Sequence, residues 1–352
     1  MNRSDGAMKS GFAAALDVPG FNYDVRKHGR QISDLPQGFL LGSETASTVS
    51  SRGVYKFPVR ENTRHWHADG LCSNYDVEQP GWGELPDDDW QHQDDETFVT
   101  GEFVWTGFDY LGKPSPYNEY WPSRSSYFGI CDLAGQPKDR YWLYRSKWNT
   151  KEHTVHLLPH WTWPGREGEV TPVYCYTDGV EAELFVNGKS QGRIHKNRES
   201  RLDRYRLRWN DVRYKPGMIE VVAYDESGKE IGRDCRRTAG DAVRICSRAD
   251  RTELTADGND MAFITVWLED RNGTMLPCAS DLLSFTVTGA GSFQAVCNGD
   301  TTSLESFTQP QMHLFNGQLV VIVRTKEQAG EIVLTINDKE KNLKTSLTLV
   351  SK

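Results

Sequence analysis

Short apolar runs separated by polar segments dominate the first 150 residues of the chain. Residues 13–18 and 38–42 have the length and composition of short buried strands, and residues 26–35 between them are predicted to form a helix. Strand, helix, strand is the order of a parallel sheet, in which functional groups lie at the carboxyl ends of the strands. Glu44 follows the second run and is therefore predicted to lie at such an end.

The pattern changes near His153, where apolar and polar residues begin to alternate. Short alternating segments separated by turn signals about every ten residues predict a β-sandwich. One of these segments leads into Asn187-Gly188, a strong hairpin signal. The strands predicted here are residues 155–158, 173–176, 183–186, 205–209 and 219–224.

Residues 240–352 show the same alternation in a different sequence and predict a second sandwich of immunoglobulin-like size. The chain is thus predicted to have three units, at residues 1–150, 151–239 and 240–352. The strands predicted in the last unit are residues 243–246, 261–269, 285–288, 318–324 and 331–336.

Residues 101–129 form a segment that is unusually aromatic for a loop. The run Phe103-Val104-Trp105 suits a buried strand, and after Gly107 prolines prevent regular structure while aromatic residues continue. Such a loop either packs under another segment or lines a site, and flat apolar faces with polar rims suit sugar rings. Helices are predicted on either side of the segment, one starting at residues 85–87 and one over residues 139–148.

Charge and composition exclude several classes of partner. The net charge is -8 without a Lys/Arg stripe, so neither nucleic acid nor an anionic membrane is an expected partner. No apolar run approaches 18 residues, and the start of the chain lacks the pattern of an export signal. The seven cysteines are widely spaced, contain no C-x-x-C pair and are expected to be buried or free thiols.

Two short motifs raise the question of a metal. His65 and His67 share one side of an extended segment, but no third ligand follows at a defined spacing. The run Asp87–Asp89 has the charge of a calcium loop without its spaced ligands and glycine, and a solvated helix start explains it better. We therefore expect no metal and no cofactor.

The most informative motifs resemble the carboxyl-terminal part of glycoside hydrolase family 2, the β-galactosidase-like enzymes. They are GFLLGSETAST, GEFVWTGFDYLGKPSPY with SRSSYFGICDLAGQPKDRYWLYRSKW, and HLLPHWTWPGREGEVTPVYCYTDGVEAELFVNGKSQGR. The resemblance covers nearly the whole chain. It implies a partial (β/α)8 barrel, comprising only the last strands, followed by two immunoglobulin-like β-sandwich domains.

The resemblance also implies a chemistry and a set of site residues. The family hydrolyses terminal β-glycosides with retention, using one carboxylate as nucleophile and another as acid/base. Glu44 matches the nucleophile, Trp105 matches an aromatic floor under the sugar, and Asp109 matches a nearby polar position. Tyr23 is placed where a tyrosine would hydrogen-bond the nucleophile.

The acid/base glutamate of the family lies well upstream of the nucleophile, whereas only 43 residues precede Glu44. The pair Asn118-Glu119 lies in a loop that the family does not use for acid catalysis. We therefore expect a truncated chain without its acid/base residue, with little activity alone. Its barrel remnant is expected to be marginal while the sandwiches fold independently.

The sequence thus predicts a retaining exo-β-glycosidase, first of all a β-galactosidase, acting on an oligosaccharide or polysaccharide. Glucuronic acid, mannose and related terminal sugars stay open, as does a homo-oligomeric state. Relatives are often periplasmic or secreted, which leaves the compartment undecided. The alternative is a non-catalytic carbohydrate-binding or scaffold protein, for which Trp161 and Trp163 offer an aromatic face; those rings could equally pack at a domain junction.

Overall fold

The computed structural model describes residues 1–61, 66–119 and 125–352. The chain is mostly β-sheet with few helices, and the helices are confined to its first part. Among the described residues, no helix is both long and apolar enough to cross a membrane. His65, Tyr120 and Trp121, which belong to motifs noted above, lie outside the described residues.

The first region contains a three-stranded parallel sheet in the order β1-β2-β3. Its strands are β1 (Gly20–Asn22), β2 (Leu40–Ala46) and β3 (Val99–Trp105). Its helices are α1 (Ser4–Lys9), α2 (Val25–Gln31), α3 (Pro86–Asp95) and α4 (Asp139–Trp148), with short 3-10 turns at Ala13–Ala15 and Ile32–Asp34.

Most of the predicted elements in this region are present. The helix predicted over 139–148 is confirmed, and so is the helix start near Pro86. Glu44 lies within β2, near its carboxyl end at Ala46. The strand predicted over residues 13–18 is wrong. Its alanines form a 3-10 turn, and the strand begins only at Gly20, where the backbone pairs with Leu41.

The run Phe103-Val104-Trp105 is a strand, as predicted, but it is not buried. Phe103 is 65% exposed, because β3 is the last strand of the parallel sheet and one side of it has no layer over it in the described residues. The apolar composition predicted the element correctly and its burial incorrectly.

The second region consists of two antiparallel sheets, β10-β9-β6-β7 and β4-β5-β8, which enclose one apolar core. Asn187 and Gly188 both have positive φ and join β6 to β7, so the predicted hairpin is confirmed. The strands are β4 (Val155–Leu158), β5 (Val173–Thr177), β6 (Glu181–Val186), β7 (Lys189–His195), β8 (Leu207–Trp209), β9 (Met218–Tyr224) and β10 (Glu230–Arg237).

The third region repeats this arrangement on a larger scale. The sheets β11-β13-β17-β15 and β12-β19-β18-β14-β16 pack around a core of Ile, Val, Leu and Phe side chains. The strands are β11 (Arg244–Ala249), β12 (Glu253–Leu254), β13 (Met261–Glu269), β14 (Leu282–Gly289), β15 (Gly291–Cys297), β16 (Gln311–His313), β17 (Gln318–Thr325), β18 (Gly330–Asp338) and β19 (Leu343–Ser351).

The first two regions meet at an aromatic and ionic junction. Trp161 is fully buried and donates its indole N–H to the Lys215 carbonyl, while Trp163 stacks on His160 and meets the edge of Tyr55. Trp163 therefore packs at the junction, whereas Trp161 packs in the core of the second region against Tyr214. The ion pairs across it join α3 to the loop before β8: Arg201 with Asp88, Arg204 with Asp95 and Arg206 with Asp87.

The third region is connected to the first through Arg52. Its guanidinium is almost fully buried, binds the Asp132 carboxylate at 2.6 Å and donates to the carbonyls of Asn298 and Phe315, each at 2.8 Å. The Asn316 amide returns a hydrogen bond to the Arg52 carbonyl at 2.8 Å. The loop that follows β2 is thereby tied to the last sandwich.

Candidate active site

Glu44 and Tyr23 form the centre of the candidate site. The Tyr23 hydroxyl donates to Glu44 Oε1 at 2.6 Å, and it lies 2.7 Å from Ser47 Oγ. Parallel pairing of β1 with β2 places these residues side by side, because the Tyr23 amide also donates to the Glu44 carbonyl at 2.9 Å. Burial raises the pKa of Tyr23, so its hydroxyl stays protonated and available as a donor.

The backbone is strained where both strands end. Tyr23 and Asp24 after β1, and Ala46 and Ser47 at the end of β2, all have φ between 57° and 66°, in the left-handed region. Such non-glycine residues each cost about 1–3 kcal/mol and persist only where their surroundings hold them, often at functional sites. Here the turn out of β2 redirects the chain so that the Ser47 hydroxyl reaches the phenol of Tyr23.

The turn after β2 is held by α3 and by the segment before it. Asp89 Oδ2 accepts a hydrogen bond from the Ala46 amide at 2.9 Å, and the Glu84 amide donates to the Ala46 carbonyl at 2.6 Å. Gly83 packs closely against this turn, because a Cβ there would lie 3.0 Å from the Ala46 carbonyl oxygen and 3.2 Å from Ser47 Cβ. The candidate nucleophile is therefore on a strand end fixed from two sides.

Three carboxyl groups, Glu84, Asp89 and Glu102, lie behind this turn. Burial is the main cause that raises the pKa of each, and Glu84 and Asp89 also repel each other. The pKa of Glu84 is raised to about 7. Glu102 accepts from the Thr45 hydroxyl at 2.7 Å and from the Trp90 indole at 2.8 Å, so this group fixes the residue next to Glu44.

Aromatic rings surround the pair. Trp105, at the end of β3, is half-buried and meets Tyr110 edge to face with 6.0 Å between centroids; the peptide bond that follows it is cis. Trp82 is 45% exposed, lies edge to face on Tyr23 at 5.2 Å and touches Phe128 at 5.7 Å. Trp82 was not singled out from the sequence, where only its position between two glycines set it apart.

A lysine side chain lies among these rings. The Lys113 ammonium is 5.1 Å from the centroid of Trp105, 5.2 Å from that of Trp82 and 5.4 Å from that of Phe128. Each contact is within cation–π range. The described residues of the site thus combine a carboxylate, a phenol, indole faces and an ammonium group.

Asp109 lies below this surface and faces inward. Its carboxylate is buried, forms an ion pair with Lys138 at 2.6 Å and accepts from the Ser126 hydroxyl and the Gly129 amide. Gly129 packs so closely that a Cβ would lie 2.1 Å from the Asp109 amide nitrogen. Through these contacts Asp109 links the segment after β3 to Ser126, Gly129 and Lys138. Its carboxylate is not exposed at the surface.

The motifs considered for a metal have other contacts. His67 Nε2 lies 2.7 Å from Glu78 Oε1. Asp87 and Asp88 pair with arginines at the junction, and Asp89 binds the Ala46 amide. Within the part of the chain that the structure describes, no group of three His, Cys, Asp or Glu side chains converges in a way that could hold a metal ion.

Two protein-family models match the chain. Residues 245–346 match glycoside hydrolase family 2 C-terminal domain 5, and residues 168–232 match a domain of unknown function, DUF4982. The two matches fall within the third and second regions respectively.

Similar proteins cover nearly the whole chain. The β-galactosidase BoGH2A of Bacteroides ovatus is 39% identical over 336 residues, which are 92% of this chain and 38% of that protein. A putative β-glucuronidase of Formosa agariphila is 29% identical over 71% of this chain and 24% of its own length. The chain therefore spans well under half the length of these relatives.

Solved structures agree with the sequence matches. A β-glycosidase from Bacteroides vulgatus superposes with a TM-score of 0.83 at 30% identity, covering 96% of this chain and 45% of that one. A glycosyl hydrolase family 2 member from Bacteroides cellulosilyticus has a TM-score of 0.77 at 26% identity, covering 97% and 43%. Together with the domain matches, these similarities identify the chain as a relative of glycoside hydrolase family 2 that corresponds to the carboxyl-terminal portion of those enzymes.

Proposed function

We propose that the chain carries the nucleophile side of a retaining exo-β-glycosidase site, with Glu44 as the nucleophile. The observation that supports this most strongly is the 2.6 Å hydrogen bond from Tyr23 to Glu44, made at the carboxyl ends of two parallel strands and among exposed aromatic rings. A phenol held protonated by burial fixes one carboxylate oxygen and leaves the other free to attack.

In this proposal Glu44 attacks the anomeric carbon as the aglycone leaves and forms a covalent glycosyl-enzyme. Water then cleaves that bond, and the two displacements together retain the configuration. Trp105 provides an apolar floor for the C–H side of the sugar, and its electron-rich face favours an oxocarbenium-like transition state. Asp109, through Lys138 and Gly129, positions the loop that carries the neighbouring aromatic rings.

The fold supports a finer architectural proposal. We infer that β1, β2 and β3 are the last strands of a (β/α)8 barrel, and that the second and third regions are immunoglobulin-like sandwiches. The domain limits proposed are 1–150, 151–239 and 240–352. A retaining enzyme places its second carboxyl group about 5–5.5 Å from the nucleophile. We propose that this acid/base residue lies outside the residues of this chain and is supplied by the rest of the barrel.

The proposed substrate is a terminal β-linked sugar of an oligosaccharide or polysaccharide. Relatives bear the names β-galactosidase and putative β-glucuronidase, and the former is the more similar of the two. We therefore take β-galactoside hydrolysis as the first activity to test.

The first test is covalent labelling with an activated 2-deoxy-2-fluoro-β-galactoside, followed by peptide mass mapping. A good leaving group needs little protonation, so the probe reports on Glu44 without an acid catalyst. We expect a sugar-sized mass gain on the peptide that contains Glu44, and none in Glu44→Gln. Tyr23→Phe should slow labelling roughly tenfold to a hundredfold, because it removes a hydrogen bond to a charged group.

A folded chain that stays unlabelled would contradict the proposal. Glycan binding that persists in Glu44→Gln would then favour the carbohydrate-binding alternative. The acid/base assignment has its own test. Adding in trans a chain that carries the earlier strands of a family 2 barrel should raise hydrolysis of a substrate with a poor leaving group, and no gain would refute it.

A further inference from the structure

Two imidazole rings lie behind the Tyr23–Glu44 pair, one on α2 and one on α3. His28 Nδ1 lies 3.2 Å from His92 Nε2, and the two ring centroids are 5.1 Å apart. His28 is 2% exposed and also packs against the Phe21 ring of β1, whereas His92 is half-buried. Neither ring belongs to the groups that the proposed chemistry at Glu44 uses.

The second ring nitrogen of His28 contacts the backbone of Tyr23. His28 Nε2 lies 3.1 Å from the Tyr23 carbonyl oxygen, and because a carbonyl only accepts, Nε2 carries the hydrogen. Burial and the neighbouring His92 lower the pKa of His28 to about 4, so at neutral pH the ring is neutral and its Nδ1 has no hydrogen. His28 Nδ1 must therefore accept from His92 Nε2, which makes both rings the tautomer that is protonated at Nε2.

This contact is made where the backbone is left-handed. Tyr23 and Asp24 have φ of 57° and 62°. The Tyr23 amide donates to the Glu44 carbonyl at 2.9 Å, and His28 holds the Tyr23 carbonyl from the other side. Non-glycine residues stay in this region only where their surroundings hold them. The two hydrogen bonds thus fix the backbone orientation from which the phenol reaches Glu44.

One face of α3 holds the ends of both strands. Asp89 and His92 are three positions apart on this helix, so their side chains lie on the same face. Asp89 accepts from the Ala46 amide at the end of β2, and His92, through His28, holds the Tyr23 carbonyl after β1. The position of α3 therefore determines where the phenol lies relative to the carboxylate.

We propose that His28 is a positioning residue of the Glu44 site, and that His92 sets the tautomer in which His28 holds Tyr23. This inference rests on the proposed function, because the role of His28 is defined by the nucleophile that it helps to orient. His28 keeps the Tyr23 phenol within hydrogen-bond distance of Glu44 Oε1, so its loss should affect the attack by Glu44 and not the binding of the sugar.

The experiment measures the rate at which the activated 2-deoxy-2-fluoro-β-galactoside labels Glu44 in the full chain, as a function of probe concentration. His28→Leu removes the donor and should lower the maximal rate constant on the order of tenfold. The probe concentration that gives half of the maximal rate, and the final labelled fraction, should not change. A variant that folds poorly would instead lower the final labelled fraction.

Three further variants serve as controls in the same experiment. His28→Gln places an amide N–H close to the position of Nε2 and should recover most of the rate. His92→Leu should slow labelling less than His28→Leu does, by roughly twofold to fivefold. His160→Gln, at a histidine that stacks on Trp163 at the junction, should leave the rate unchanged.

Two other measurements separate positioning from a general loss of structure. If His28 acts through the Tyr23 hydroxyl, His28→Leu should slow labelling far less in a Tyr23→Phe background than in the wild type. Independently of labelling, nitrogen NMR of protein with isotope-labelled histidine should show His28 and His92 protonated at Nε2 only at neutral pH. The variants His28→Gln and His92→Gln assign the signals.

Each outcome decides the inference. Slower labelling that His28→Gln restores, with both rings protonated at Nε2, supports it. Equal maximal rates in wild type and folded His28→Leu, an undiminished slowing in the Tyr23→Phe background, or a hydrogen on His28 Nδ1 overturns it, while labelling of wild-type Glu44 leaves the proposed function intact. If His28→Leu does not fold, the His92→Leu rate and the tautomers decide. If folded wild-type protein is not labelled, the proposed function fails and the role of His28 fails with it.

Discussion

The first and third regions differ in the types of residue that are buried in their interiors. The core of the third region is almost entirely aliphatic, and its buried acids are few. Asp270 and Asp338 accept hydrogen bonds from backbone amides of turns, and Asp281 forms an ion pair with Lys341. The interior of the first region is crowded with ionisable groups. They include Arg52, Asp76, Glu78, Asp87, Asp89, Asp109, Asp132, Lys138 and Arg140.

The difference shows how each region obtains its stability. An aliphatic core gains stability from the area it removes from water and tolerates changes of similar volume. A buried ionic network gains little net stability, yet it fixes the direction of loops, and removal of one partner leaves an uncompensated charge. The buried ions of the first region therefore fix the surface around Glu44 but make that region sensitive to substitution. The aliphatic core of the third region tolerates substitution better.

The sharpest test of this comparison is Lys138→Met. Lys138 is fully buried, pairs with Asp109 at 2.6 Å and donates to the carbonyls of Ser50 and Tyr127. The substitution should lower the free energy of unfolding by about 3–5 kcal/mol, because Asp109 is left buried without its partner. Urea unfolding followed by tryptophan fluorescence reports on this region, since seven of the eleven tryptophans lie in residues 1–150.

The matched control is the double substitution Lys138→Met with Asp109→Asn, which removes both charges. It should recover a large part of the loss. If the single and double variants are equally destabilised, the cost comes from packing and the ionic interpretation of this interior is wrong.

Leu334→Ala tests how much the aliphatic core of the third region contributes to stability. Leu334 is fully buried in β18, and its truncation should cost ~3 kcal/mol through lost burial and a residual cavity. Urea unfolding followed by far-UV circular dichroism measures it. Leu347→Ala, at a partly buried position against the same core, should cost clearly less, and equal costs would argue against a tightly packed core.

Glu84→Gln tests the acidic interior through its pH dependence. Burial raises the pKa of Glu84 to about 7, so the folded protein holds this proton between about pH 4.5 and 7 while the unfolded chain releases it. The contribution of Glu84 to stability is thus present at low pH and lost as pH rises through that window. Relative to wild type, Glu84→Gln should gain roughly 1 kcal/mol per pH unit across it.

Urea unfolding of both proteins at pH 5, 6 and 7 measures this difference, and titrating groups that do not interact with Glu84 cancel in the comparison. A difference that does not change with pH would show that Glu84 is ionised in the folded protein throughout the range.

The smallest expected effect is that of an exposed ion pair in the third region. Arg244 contacts Glu269 at 2.5 Å, but its side chain is 47% exposed. Arg244→Gln should change the free energy of unfolding by about 0–1 kcal/mol, because solvent and salt screen the pair. The same urea experiment at low and high salt checks it, and a loss as large as that of Lys138→Met would remove the distinction between the regions.

Alternation along the chain was sufficient to locate the strands that have one buried face. Residues 261–269 and 155–158 were predicted with their observed limits, since apolar side chains mark the inward positions. β7 and β10 were missed because their side chains are largely exposed and polar, so backbone pairing alone defines them. The local pattern of apolar and polar residues does not show which backbone segments pair with each other.

The site was predictable only in part for a related reason. Tyr23 follows β1, while Glu44 and Trp105 lie near the carboxyl ends of β2 and β3, and the resemblance of short motifs predicts that the three share one site. Trp82 and Lys113 reach the same surface from loops whose course depends on left-handed residues and on Gly83 packing against Ala46. Asp109 has the sequence context of a surface residue, yet its burial with Lys138 depends on a partner 29 positions away (138 − 109).

The buried guanidinium of Arg52 has a consequence for anyone who divides this chain into shorter pieces. Two of its hydrogen-bond acceptors, the carbonyls of Asn298 and Phe315, belong to the last sandwich. A piece that ends near residue 240 would expose to water the Arg52 guanidinium and the backbone of Arg52 and Gly53, against which Asn316 packs. The last sandwich thus covers the underside of the loop that follows β2, and the smallest unit that preserves the surface around Glu44 includes it.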